Sequence, residues 1–243
     1  MTTVDQHIAT DSFEEVYLRL RHKEGRVYSD EQVANLPEIT KTDSHYDEWR
    51  MRQISSRRLL KYLLDKKNPM DILEVGCGNG WLSARLSVIP SVHITGIDVN
   101  IEELNQAKRV FSKTKNLSFC ACDLRDELLK NRHFDMIVFA ASIQYFSSLP
   151  AILNQALSHL KQGGEIHIID SPFYKQNDLA AAKQRSQAYY ESMNASEMAD
   201  HYFHHCLDEL KSFKYKIISN PFSASRHFRK NKNPFYWISI QQQ

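Results

Sequence analysis

From Met70 onward the chain alternates short apolar, β-rich runs with helix-length amphipathic stretches, and this rhythm restricts the fold of the 243 residues more than any other feature. The runs "DILEV", "VHITGID", "LSFCAC", "FDMIVFAA" and "GEIHIID" are separated by segments such as "IEELNQAKRVFSK" and "LPAILNQALSHLK". Near-continuous apolar strands lack the in-and-out alternation of a sheet with one wet face, so both faces must be covered. Helix-length crossovers between such strands make βαβ units with parallel pairing. Two more candidates, "KYKIIS" and "FYWISIQ", follow without a crossover helix between them, which favours antiparallel pairing at that edge. The expected fold is a doubly wound α/β domain with a seven-stranded, mostly parallel sheet.

The first seventy residues read as helices. In "SHYDEWRMRQISSRRLLKYLLDK", Ser44 followed by Asp47 has the form of a capping box, and Leu59, Leu60, Leu63 and Leu64 mark one apolar face. The polar, aromatic-rich stretch 171–212 is too long for an ordinary connection between neighbouring strands and is expected to form a helical lid. The length suits one domain with an elaboration. Its parts are a helical extension (1–66), a core (67–170), the lid (171–212) and the C-terminal antiparallel strands (213–243).

Lys and Arg number 31 against 29 Asp and Glu, a formal charge of +2, which gives no broad surface for nucleic acid or membrane. A small-molecule partner is expected instead. The start of the chain lacks a basic-then-apolar leader, and no run of about eighteen apolar residues occurs, so a cytoplasmic protein without a membrane span is expected. Cys77, Cys120, Cys122 and Cys206 contain no C-x-x-C pair and read as reduced thiols.

Three of only seven glycines, Gly76, Gly78 and Gly80, follow the first strand at every second position. Glycines there permit positive φ and remove Cβ atoms, so a ligand can lie against the main chain near a helix N-terminus. A nucleotide-bearing ligand fits. The dinucleotide pattern G-x-G-x-x-G would place its third glycine one position later, where Trp81 stands. Asp98, ending the second strand, is placed for the ribose hydroxyls of either NAD or S-adenosylmethionine and does not choose between them.

"LEVGCGNG", "GIDVN", "ACDL" and "FDMIVFAASIQYF", in this order, resemble the successive motifs of class I S-adenosylmethionine-dependent methyltransferases, over residues 54 to the C-terminus. The antiparallel last strand fits the same resemblance. It implies S-adenosylmethionine as cofactor, S-adenosylhomocysteine as product, and methyl transfer to a small organic acceptor. It further implies that Glu74, Gly76, Cys77, Gly78 and Gly80 face the methionine portion, while Asp98 holds the ribose and Val99 the adenine. Asp123 would accept from the adenine amino group beside the Leu124 N–H, and Ala140, Ala141 and Ser142 would line the floor near the sulfonium. Asp98 and Asp123 also read as turn or capping residues.

The family's Asn/Asp-Pro-Pro-aromatic motif for amino-group substrates is replaced here by "AASIQYF". No carboxylate stands at that strand end for Mg²⁺, and no cysteine nucleophile follows the strand. Acceptor candidates are Gln144, Tyr145, Tyr174, Tyr46 and Trp49, with His201, Tyr202 and His205 from "HYFHHC". His201 and His205 would lie one turn apart on a lid helix whose Met198, Tyr202 and Phe203 pack inward. They lack a third ligand, so no metal is expected. Three alternatives stay open: an NAD-dependent oxidoreductase, a non-catalytic cofactor-binding module, and an RNA methyltransferase, the last suggested by "RHFRKNKNPFYW" although nucleic acid is not the expected partner. The general base, the methylated atom and the oligomeric state are not assigned.

Overall fold

The computed structural model describes residues 13–223 and 233–242. Seven strands, β1 (Met70–Val75), β2 (Val92–Asp98), β3 (Leu117–Ala121), β4 (Phe134–Ala140), β5 (Leu160–Ile169), β6 (Lys214–Ser219) and β7 (Trp237–Gln241), form one sheet in the order β3-β2-β1-β4-β5-β7-β6. The first five pair in parallel, and β7 runs antiparallel to both β5 and β6. This is the expected architecture.

Consecutive residues of a strand point to opposite faces, and Ile72 and Leu73 are both 0% exposed, so β1 is covered on both sides. Leu73, Ile97, Ile137 and Phe139 build the core on one face; Ile72, Ile94, Met136 and Val138 build it on the other. Strand order reverses between β1 and β4, which opens a crevice at their carboxyl ends.

The helices are α1 (Phe13–Lys23), α2 (Asp30–Asn35), α3 (Tyr46–Lys66), α4 (Trp81–Leu86), α5 (Ile101–Val110), α6 (Leu149–Ser158) and α7 (Leu179–Ser192). The capping box expected at Ser44 and Asp47 does not form. The cap position of α3 is His45, one residue later, without a side-chain cap; Asp43 takes the His45 N–H at 2.8 Å. Ser29 and Gln32 make a reciprocal box at α2 instead. Leu59 and Leu63, four apart, are buried, whereas Leu64 lies a further 100° or so round the helix and is 54% exposed.

The stretch 171–212 is less helical than expected. After α7 a 3-10 turn spans Ser196–His201, and residues 202–205 are irregular. There the Phe203 N–H bonds to Gln144 O (2.8 Å) and His205 O accepts the Tyr174 N–H (2.9 Å). With backbone groups committed to neighbouring segments, "HYFHHC" cannot coil into a helix, and His201 and His205 do not share a helical face. Met198 is buried as expected; Tyr202 and Phe203 are half-buried.

Val16 and Leu20 of α1 pack with Tyr190, Ala195 and Met198 in a third core, separate from those of the sheet. Lys23 Nζ adds bonds to the carbonyls of Met193 (2.9 Å) and Asn194 (2.6 Å). Among the described residues no helix is long and apolar enough to cross a membrane. Most of the basic stretch before Pro234 lies outside the described residues.

Candidate active site

The turn after β1 is built against the end of β2. Ile97 O accepts the N–H groups of Gly76 (2.9 Å) and Cys77 (3.0 Å), the Asp98 carboxylate accepts that of Gly78 (2.7 Å), and Cys77 O accepts that of Gly80 (3.0 Å). A ligand therefore meets the bare Cα surface of this turn rather than a row of open N–H groups. The start of α4 is partly taken as well, because Glu74 accepts from Ser83 through both its hydroxyl (2.5 Å) and its backbone. Gly76 adopts φ +75°, and a Cβ there would lie 2.6 Å from Ser142 Cβ. The ends of β1 and β4 thus approach each other as only glycine permits.

A long cavity of about 300 Å³ runs from this turn along the carboxyl edge of the sheet. Gly76, Gly78, Ala141 and Ser142 bound one end, Asp98 and Val99 the middle, and Asp123 and Leu124 the other. Six of the expected cofactor residues beyond the turn therefore share one hollow with two of its glycines. A second hollow adjoins it on the turn side, bounded by Glu74, Cys77, Ala140 and Trp49. Gly80 bounds neither; a Cβ there would strike the Phe119 ring at 2.5 Å, so its role is packing against β3.

Acids dominate the turn. Glu74 is 2% exposed, and burial pushes its carboxyl up to about 8. Glu103, on α5, faces Gly78 and is raised to about 7 by burial and by Asp98. Burial also raises Asp98, against the two N–H bonds from Asn100 and Gly78 that favour its charged form. Asp123 is held below the ordinary range chiefly by Arg125, 2.7 Å away. The site is thus primed to take up positive charge by releasing protons.

A third hollow lies beyond Ala141, walled by α1, α3, Gln144, Asp170 and the tyrosines of the lid. Gln144, Tyr145 and Tyr202, three of the acceptor candidates named from the sequence, bound it. Tyr46 and Tyr174 bound none of these hollows; Tyr174 packs against His204 at 5.4 Å. His201 rests on the Phe13 ring at 5.4 Å. His205 is buried, with Nε2 3.2 Å from Ile143 O. Sequence reading missed Tyr17, Arg21, Arg26, Arg52 and Glu103, which helices α1, α3 and α5 and the α1–α2 connection bring to these walls. A usable signal for Arg52 was its spacing of three from Trp49, which puts both on one face of α3.

Among the described residues no group of three His, Cys, Asp or Glu side chains could hold a metal ion.

The model of a family described as a methyltransferase domain matches residues 65–217. A malonyl-[acyl-carrier protein] O-methyltransferase of Acetivibrio thermocellus is 30% identical over 129 residues, 52% of this chain but only 45% of that protein. In three dimensions the fold resembles magnesium protoporphyrin IX methyltransferase from Synechocystis PCC 6803 with bound SAH (TM-score 0.58, 13% identity, 95% of this chain and 100% of that one). It also resembles the plantazolicin methyltransferase BpumL in complex with SAH (TM-score 0.56, 17% identity, 95% and 96%). At such identities these two likenesses concern the fold alone.

Proposed function

Since the chain belongs to this methyltransferase-domain family, we propose that it transfers a methyl group from S-adenosylmethionine to a small organic acceptor. The observation that carries the reading is the single cavity joining the Gly76–Gly78 turn to Asp98 and on to Asp123. Its volume of about 300 Å³ lies at the lower end of the range of about 300–1,000 Å³ usual for ligand pockets. When bound, S-adenosylmethionine supplies an electrophilic methyl group on a positively charged sulfur.

The residues divide the work by their chemistry. Asp98 would accept from the ribose hydroxyls with lone pairs left over from its bonds to Gly78 and Asn100. Val99 offers an apolar edge to the base, and Asp123 an acceptor beside it. Glu74 and Glu103, both raised by burial, would ionise against the ammonium of the methionine portion. Ala140, Ala141 and Ser142 form a floor with small side chains. Phe13, Tyr17 and Tyr145 cover the long cavity and keep water from the reacting atoms. For an in-line displacement, alignment and dryness are the main requirements.

Isothermal titration with S-adenosylhomocysteine and with NAD(H) tests the reading. Binding of the first and not the second is expected. The reverse would end it.

A further inference from the structure

The hollow beyond Ala141 is bounded by one carboxylate that the fold leaves half unused. Ala140 pairs with Ile169, and the Ala141 N–H donates to Ile169 O at 3.0 Å, so Ala141 and Asp170 leave the sheet side by side at the ends of β4 and β5. Both turn left-handed there, at φ +53° and +54°. Residues other than glycine hold that conformation at a cost, and such positions concentrate at functional sites. Of the three hollows, Ala141 bounds all and Asp170 only the third.

An aspartate that merely closes a turn accepts from the backbone two residues on. Asp170 accepts no backbone N–H among the described residues. Its Oδ1 instead takes the Ser55 hydroxyl from α3 and Asn233 Nδ2 (3.3 Å) from the approach to β7. Oδ2 has no partner among the described residues, yet, unlike Gln144 Oε1, it is not sealed off. One oxygen is thus anchored and the other open on a residue that bounds the hollow. Burial raises this carboxyl against the pull of Ser55, Arg52 and Asn233, which strengthens it as a proton acceptor.

The charges around the hollow balance. Arg21, Arg26 and Arg52 stand against Glu24, Glu48 and Asp170. The two glutamates are already paired, Glu24 with Arg21 and Arg26 (both 3.1 Å) and Glu48 with Arg26 and Arg52 (2.8 Å for the latter). With Asp170 ionised the walls are neutral in sum, and an uncharged guest keeps them so. An alcohol or phenol is uncharged near neutral pH, whereas an aliphatic amine is not. Tyr145, Tyr190 and Tyr202, with ring centroids 6.0 Å apart in each neighbouring pair, supply apolar sides.

Building on the methyl-transfer reading, we infer that this hollow takes an uncharged hydroxyl compound and that Asp170 is the catalytic base, its Oδ2 accepting the hydroxyl proton. As the acceptor oxygen bonds to the methyl carbon, the carbon–sulfur bond breaks with its electron pair going to sulfur, and the O–H proton passes to Oδ2. The products are a methyl ether, S-adenosylhomocysteine and a neutral Asp170 carboxyl, which gives its proton to water when the site empties.

The test uses the full chain saturated with S-adenosylhomocysteine. Phenol, benzyl alcohol and cyclohexanol are titrated beside their methyl ethers, which keep the oxygen but lose the proton, and beside benzylamine and cyclohexylamine. At least one hydroxyl compound should bind about tenfold more tightly than its ether and than either amine, a readily resolved difference. Asp170→Asn keeps a residue that tolerates the left-handed backbone and puts an NH₂ group in place of the open oxygen. It should abolish the preference while leaving S-adenosylhomocysteine binding unchanged. With S-adenosylmethionine supplied, the same change should slow methylation of the preferred compound by about 10²–10⁴-fold. No preference for a hydroxyl in the unaltered chain overturns the inference, and that comparison stands whether or not the variant folds. Tighter binding of the amines overturns it too, as does a preference that survives in Asp170→Asn. Absence of S-adenosylhomocysteine binding by the unaltered chain would remove the methyl-transfer reading and this inference together; its presence without the preference removes only this inference.

Discussion

Asp98 receives the Gly78 N–H at 2.7 Å on one carboxylate oxygen and the Asn100 N–H at 2.9 Å on the other, so the last residue of β2 pins the middle of the glycine turn and starts α5. The proposed ribose acceptor is therefore also a structural tie. Asp98→Ala should lower folding stability by about 1–3 kcal/mol through the unpaired N–H groups, and it should weaken S-adenosylhomocysteine as well. Denaturant unfolding and calorimetry of the same variant check both. A loss of affinity with unchanged stability would mean that the tie carries no weight.

Gly76 and Ser142 offer a cleaner test of geometry. Gly76→Ala places a methyl 2.6 Å from Ser142 Cβ at φ +75° and should cost about 1–3 kcal/mol. Ser142→Gly removes the struck atom while forfeiting the hydroxyl bond to Val75 O (2.6 Å). In a double-mutant cycle the pair should cost less than the sum of the single changes. Additivity would place the strain elsewhere.

Glu74 should make stability depend on pH. Its folded pKa of about 8 lies above the unfolded value of about 4.3, so the native state holds a proton that the unfolded state releases in between. Stability from this group is lost as pH rises across that window, by at most about 1.4 kcal/mol per unit. Glu74→Gln should match the original chain near the lower limit and exceed it increasingly up to the upper one. Thermal melts across the range decide; parallel curves would show that Glu74 titrates normally.

The same carboxyl predicts proton release on ligand binding. If the cofactor's ammonium settles beside Glu74 and Glu103, S-adenosylhomocysteine should bind more tightly as pH rises toward about 7 to 8, where these two groups ionise. Calorimetric heats that do not vary with buffer ionisation enthalpy would rule this out.

The small core shared by α1 and the lid should open separately from the sheet. Leu20→Ala removes a buried side chain from it, a change costing about 2–5 kcal/mol where the structure cannot collapse. Hydrogen exchange should accelerate in α1 and α7 while β1 and β4 stay protected. Uniform acceleration would make the roof one cooperative unit with the sheet.

The sheet was readable because each strand is a local apolar run and its pairing follows from the crossovers. Boundaries that depend on competition were not. Ser44 and Asp47 have the right letters for a cap, but Asp43 captures the adjacent N–H and the helix starts at Tyr46. "HYFHHC" has helical spacing, yet its backbone groups find partners at Gln144 and Tyr174. The glycine turn, Asp98 and Asp123 were legible because they sit at strand ends, where topology assigns position. Arg21, Arg52 and Glu103 were not, since only the docking of their helices across the crevice gives them a common wall.

β7, the last described strand in chain order, occupies an interior slot. β7 lies between β5 and β6 and hydrogen-bonds to both, so the sheet is finished by insertion rather than by growth at its rim. A nascent chain halted before Trp237 would leave β6 without its neighbour and the edge of β5 bare, a template for foreign strands.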